Sequence, residues 1–125
     1  MARFRSEKTW FLGQTDVATA REGALNVLSH LGIRARAGAQ STPIEGRAGS
    51  VISSLFLWNE RTAPYRVRVG VSEASSKVLV EVVFEESSQV GMTGTKRMEM
   101  YITLADGLFD ALHRSFLRFA ALEAA

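Results

Sequence analysis

A chain of 125 residues, 46% apolar and 22% charged, has the size and make-up of one globular domain, which excludes collagen-like, disordered and purely coiled-coil designs. Its 15 basic and 13 acidic side chains leave a net charge of +2, too even a balance to predict nucleic-acid binding without a clustered stripe, although twelve of the basic residues are arginine. The absence of cysteine removes disulfide frameworks, thiolate metal sites and cysteine nucleophiles.

Residues 3–12 read as a strand. Phe4, Trp10 and Leu12 share one phase of a two-residue period, with Arg5, Glu7 and Thr9 on the other. The period then changes: Val17, Ala20, Ala24, Leu28 and Leu31 recur every three or four residues, as along one face of a helix. Thr15 or Asp16 can cap its first turn, Gly32 suits a left-handed C-terminal cap, and Gly23 within it predicts a close packing contact. Residues 33–38 and 43–49 are expected as paired strands joined by the turn at 38–42. Residues 64–72 and 77–85 alternate most cleanly, with Tyr65, Val67, Val69 and Val71 in one phase of the first and Val78, Val80, Val82 and Phe84 in one phase of the second.

Residues 50–58 also read as a strand, but their apolar side chains occupy both phases: Val51, Leu55 and Leu57 on one, Ile52, Phe56 and Trp58 on the other. Either both faces are covered or the second phase forms a contact surface. The C-terminal segment gives the longest pattern. Met98, Ile102, Ala105, Phe109, Leu112, Phe116 and Phe119 follow one another at steps of four and three, with Tyr101, Leu104 and Leu108 widening the stripe. One helix from about 95 to 122 is predicted, longer than the sheet requires, so that Phe116 and Phe119 reach towards another chain.

The order of elements, β-α-β-β-β-β-β-α, predicts one α+β domain over 1–125: an antiparallel sheet of five or six strands, with a short helix and a long C-terminal helix on one face. The charge is spread without a block that would mark a tail or a second domain. The first eight residues lack the apolar core of a signal peptide, and apolar runs such as 55–58 fall far short of the ~20 residues of a membrane span, so a cytoplasmic location is expected.

Little in the chain points to chemistry. Asp110, His113 and Arg114 can meet on one helical face, read as a solvated charge cluster, and neither His30 nor His113 has a partner at metal-ligand spacing. Residues 91–97 place two glycines ahead of a helix, which offers an anion site at Thr93, Thr95, Lys96 and Arg97; a P-loop would need Gly-Lys-Ser/Thr, and here Thr95 separates Gly94 from Lys96. Arg34, Arg36, Arg47, Arg66 and Arg68 all fall on outward strand phases. They could meet a phosphate backbone or an acidic partner. Glu45, Glu81 and Glu85 share that phase, however, and no aromatic platform interleaves, so a salt-bridged surface is expected.

The Leu-x-x-Leu-Gly stretch at 28–32, the glycine-bearing strand at 44–49, the valine-rich strands at 67–71 and 78–84 and the closing helix from 95 together resemble small bacterial α+β domains of unknown function, with a helix-grip or TATA-binding-protein-like fold. The resemblance spans most of the chain and implies no catalytic residues. It implies that an apolar ligand can lie between sheet and long helix.

The expected function is a non-enzymatic binding or interaction module that self-associates or docks onto a larger assembly through exposed apolar surface, with Ile52, Phe56, Trp58, Phe116 and Phe119 as contact residues. The alternative is a small-molecule or lipid carrier whose pocket is lined by Tyr65, Val67, Val80, Phe109 and Leu112. A protein partner or a second copy is expected; nucleic acid, a cofactor and a metal are not.

Overall fold

A computed structural model gives the structure of the chain and describes residues 4–39, 42–49, 63–87 and 95–123. The two strongest alternations become the middle of the sheet. Strands β4 (Tyr65–Ala74) and β5 (Lys77–Glu86) pair along their whole length, from Tyr65 opposite Glu86 to Ala74 opposite Lys77. They are joined through Ser75 and Ser76, both at positive φ, the hairpin turn whose twist matches that of the strands. On one face Tyr65, Val67, Val69, Val71, Val78, Val80, Val82 and Phe84 are all buried.

Strand β1 (Arg5–Leu12) pairs with β5, while β3 (Ile44–Ala48) and then β2 (Arg34–Arg36) extend the sheet beyond β4. A further strand, β6 (Ala121–Glu123), adds to the other edge of β1, giving the antiparallel order β2-β3-β4-β5-β1-β6. The expectation of an antiparallel sheet of five or six strands with two helices on one face holds, although the sixth described strand is β6, which the sequence did not predict. The strand expected at 50–58 lies outside the described residues.

Helix α1 (Val17–His30) begins where Asp16 Oδ1 accepts the Thr19 N–H at 2.7 Å, and ends where Gly32, at φ +78°, turns the chain so that the Ile33 N–H reaches the Leu28 carbonyl. Helix α2 (Thr95–Phe116) packs against α1 and β1. The core lies between these helices and the inner sheet face: Trp10 sits edge-on to Phe109 and Phe116, and Tyr65 stacks on Phe84 at 4.7 Å.

The end of the chain departs from the periodicity. The helix stops at Phe116, a 3-10 turn covers Leu117–Phe119, and Ala120 at φ 55° reverses the chain into β6. The Phe119 carbonyl is held by the N–H groups of Gly13 and Gln14. That long-range tie is invisible to a local pattern. The buried stripe is also rotated. A row stepping by four and three has a period of 3.5, which drifts ~20° per heptad on a helix of 3.6 residues per turn. Its start therefore leaves the core, where Met98 is 40% and Ile102 47% exposed, while Tyr101 and Leu108 are buried.

Candidate functional site

With one sheet face and two helices consumed by the core, the other face of the sheet carries the polar phases of the strands. The register aligns them in rows. Arg34 lies opposite Arg47, Arg47 opposite Arg66, Arg66 opposite Glu85, and Glu85 opposite Arg5. In the next row Arg36 faces Glu45, Glu45 faces Arg68, Arg68 faces Val83, and Val83 faces Glu7. Arg47 thus has arginines on both cross-strand sides, with Arg36 and Arg68, which flank Glu45, at the diagonals of Arg47.

Some of this charge is neutralised. Arg66 donates to Glu85 through Nε at 3.2 Å and Nη2 at 2.6 Å, and Arg5 approaches the other oxygen of Glu85 at 3.5 Å. Arg5 also donates to Glu7, whose hydrogen bond and charge raise the guanidinium pKa. Arg68 reaches Glu45 at 3.3 Å, and Arg34 donates to the Gly49 carbonyl at 3.1 Å. Among the described residues no carboxylate lies within ion-pair distance of Arg34, Arg36 or Arg47. The expected salt-bridged surface is therefore present on β4, β5 and β1 and reaches β3 at Glu45, while Arg34, Arg36 and Arg47 of β2 and β3 are left out of it. A cavity of about 520 Å³ opens here, bordered among the described residues by six arginines and two carboxylates, Glu45 and Glu85.

Like charges placed directly across two strands oppose pairing, so the row needs support from the core side. Two inward features supply it. Gly46, between Glu45 and Arg47, leaves space that a Cβ would fill only 2.7 Å from Ile33 Cγ2, so β3 can lie flat against the chain entering β2. Arg21, buried on α1, donates to the carbonyls of Thr42 at 2.7 Å and Gly38 at 3.2 Å, holding both ends of the β2–β3 connection. Sequence reasoning missed Arg21, because a lone arginine on a helix carries no signal of a distant carbonyl. It also left Arg5 out of the arginine set, although its outward phase was readable.

The other expected sites fare differently. Thr93 lies outside the described residues, as do Ile52, Phe56 and Trp58. Thr95 and Lys96 begin α2, and their side chains are not described. Arg97 is not offered to a loop anion. It is buried and donates to Glu86 Oε1 at 2.7 Å, and Glu86, fully buried, also accepts the Phe4 N–H. Nearby, Tyr101 donates to the Pro64 carbonyl at 2.8 Å; burial, then the charge of Glu86, raises its pKa.

Phe116 and Phe119 do not project towards another chain. Both are buried in this one, because the 3-10 turn folds the end of α2 back onto β1. Tyr65, Val67, Val80, Phe109 and Leu112 do come together, but as members of one buried cluster. A second cavity, of about 480 Å³, opens between α1 and α2 beside Val27, His30 and Arg118.

Asp110 pairs with Arg114, while His113 turns away from them and accepts the Trp10 indole N–H on Nδ1 at 3.1 Å. Among the described residues no cluster of histidine and carboxylate could hold a metal, and no helix is long and apolar enough to cross a membrane.

No family model and no curated protein matches the chain. It is similar to the crystal structure of Ara h 8.0201 over 94% of this chain and 99% of that one, at 8% identity and a TM-score of 0.43, a level that says nothing about ligand or activity. The six-stranded antiparallel sheet with its long C-terminal helix fits the helix-grip arrangement.

Proposed function

We propose that the protein is a non-enzymatic binding module that takes a polyanionic partner on the outer face of its sheet. One observation carries this reading: Arg47 sits among Arg34, Arg36, Arg66 and Arg68, and no described carboxylate lies within ion-pair distance of Arg47 or Arg36. Exposed arginines that only tune solubility need not be set opposite one another, where repulsion costs a few tenths of a kcal/mol to about 1 kcal/mol per pair. A bound anion removes that repulsion and gains charge-assisted hydrogen bonds from planar guanidinium forks.

The binding surface is polar, unlike the apolar one expected from the sequence. Phe116 and Phe119 are core residues; among the described residues Met98 and Ile102 are exposed one turn apart on α2, and Leu31, Leu117 and Leu122 are exposed on other segments, while Ile52, Phe56 and Trp58 lie outside the described residues. A carrier role would need a cavity in the layer between sheet and long helix. The five residues expected to line it are buried together there, and the two cavities described above open elsewhere. Support for a non-enzymatic role comes from the histidines: His113 is engaged by Trp10, and His30 is exposed on α1.

The test is charge reversal. On an immobilised polyanion such as dextran sulfate, the wild-type chain should be retained and released by salt, because exposed charges are screened within a Debye length of about 10 Å at 0.1 M. Arg36→Glu with Arg47→Glu should abolish retention and leave the circular dichroism spectrum unchanged. Equal retention of the folded double variant would overturn the reading.

A further inference from the structure

The geometry of the arginine rows points to a class of ligand, and this inference rests on the polyanion-binding reading above. Neighbouring strands lie about 4.8 Å apart, so the stems of Arg34, Arg47 and Arg66 stand in a line roughly 10 Å long. Two residues along the strands, about 7 Å away, Arg36 and Arg68 stand on either side of Glu45, a second row with one more cation than anion. Three of the five are tethered: Arg34 by the Gly49 carbonyl, Arg66 by Glu85, Arg68 by Glu45. Tethering fixes their stems and leaves other N–H groups of each fork to point elsewhere, since a guanidinium carries five donors. Arg47, at the centre, makes no such bond among the described residues.

We propose that this set is a binding site for an oligophosphate, a ligand carrying two or more linked phosphoryl groups, with Arg47 as its central contact. A carboxylate carries one charge on two coplanar oxygens, so the guanidinium forks it accepts must lie near one plane. A terminal phosphoryl group has three acceptor oxygens and close to two charges, so forks arriving from two or three sides can each find an oxygen. Three arginines in line suit the first group, and the second row suits a group linked to it.

The cavity of about 520 Å³ has room for such a chain, and among the described residues its lining holds arginines, carboxylates, Gly46, Val67 and Val83 but no aromatic ring. A nucleic acid strand is the poorer fit. Each of its backbone phosphates carries a single charge, and single-strand recognition relies on aromatic stacking, for which the described residues of this face supply no ring. The shared chemistry of free oligophosphate and of a nucleoside polyphosphate is the phosphoryl chain, and the nucleoside would lie outside the contacts.

Calorimetric titration of the full chain tests this with tripolyphosphate, orthophosphate, adenosine triphosphate, polyglutamate and single-stranded DNA. One tripolyphosphate should bind per chain, about tenfold or more tighter than orthophosphate or polyglutamate. Arg47→Gln should weaken it by about tenfold or more, and Arg47→Lys, which keeps the charge without the fork, should fall between. Lys77→Gln, at the turn end of the β4–β5 hairpin, should leave binding unchanged.

Adenosine triphosphate matching tripolyphosphate within a few-fold supports recognition through the phosphoryl chain alone. A gain of about tenfold from the nucleoside overturns it. Tighter binding of polyglutamate or DNA, lost in Arg47→Gln, overturns the oligophosphate assignment and keeps the polyanion reading. Binding that Arg47→Gln leaves unchanged overturns the site, and failure of every polyanion to bind overturns both readings.

Discussion

Asp16 shows how much a single side chain settles when its partner is close in sequence. The carboxylate receives the Thr19 N–H and starts α1 there, and that hydrogen bond lowers its pKa. A carboxyl with a depressed folded-state pKa adds stability that is present above the ordinary aspartate range and is lost as pH falls through the folded-state value. Asp16→Ala should lower the melting temperature by a few degrees at neutral pH, and Asp16→Asn, an equally good cap, should restore most of it. The gap between wild type and Asp16→Asn should narrow as the pH is lowered through that range. A gap that widens on acidification would contradict this assignment. The cap and the Gly32 terminator are legible in the sequence because both act within one turn of the helix. The reach of Arg21 to Gly38 and Thr42, and of Glu86 to Phe4, is not, because sequence spacing says nothing about those partners.

Elements were legible in proportion to how local their causes are. The alternation in β4 and β5 is sufficient to find both strands and their buried faces. Their turn is a weaker feature: Ser75 and Ser76 are not glycine or asparagine, yet both hold positive φ. Replacing them with Asn-Gly should raise stability by about 0.5–1 kcal/mol in urea denaturation, because those residues take left-handed conformations at less cost. Unchanged or lower stability would argue against this turn geometry. The last element was misread for the opposite reason. The apolar spacing continues through Phe119, but hydrogen bonds from Gly13 and Gln14 capture the chain there, and β6 pairs with β1 instead of extending the helix. A helix of 22 residues remains, roughly 33 Å long.

At the scale of the whole molecule, the sheet separates two jobs. Its inner face, under α1 and α2, holds the core; its outer face is left to the charged phases, and the register decides what those charges become. Outward arginines were readable strand by strand. Their convergence on Arg47 was not, because it depends on which strands adjoin and in what register. The same pairing separates Arg66 and Arg5, which share Glu85, from Arg36 and Arg47, which have no described carboxylate within ion-pair distance. The measurement that reaches the central claim most directly is a nuclear magnetic resonance titration of the arginine Nε–Hε signals with tripolyphosphate. The signals of Arg34, Arg47 and Arg66 should shift together and saturate at one ligand per chain, while that of buried Arg21 stays in place. Shifts confined to arginines of the helices, or none at all, would contradict the assignment of the outer sheet face as the binding surface.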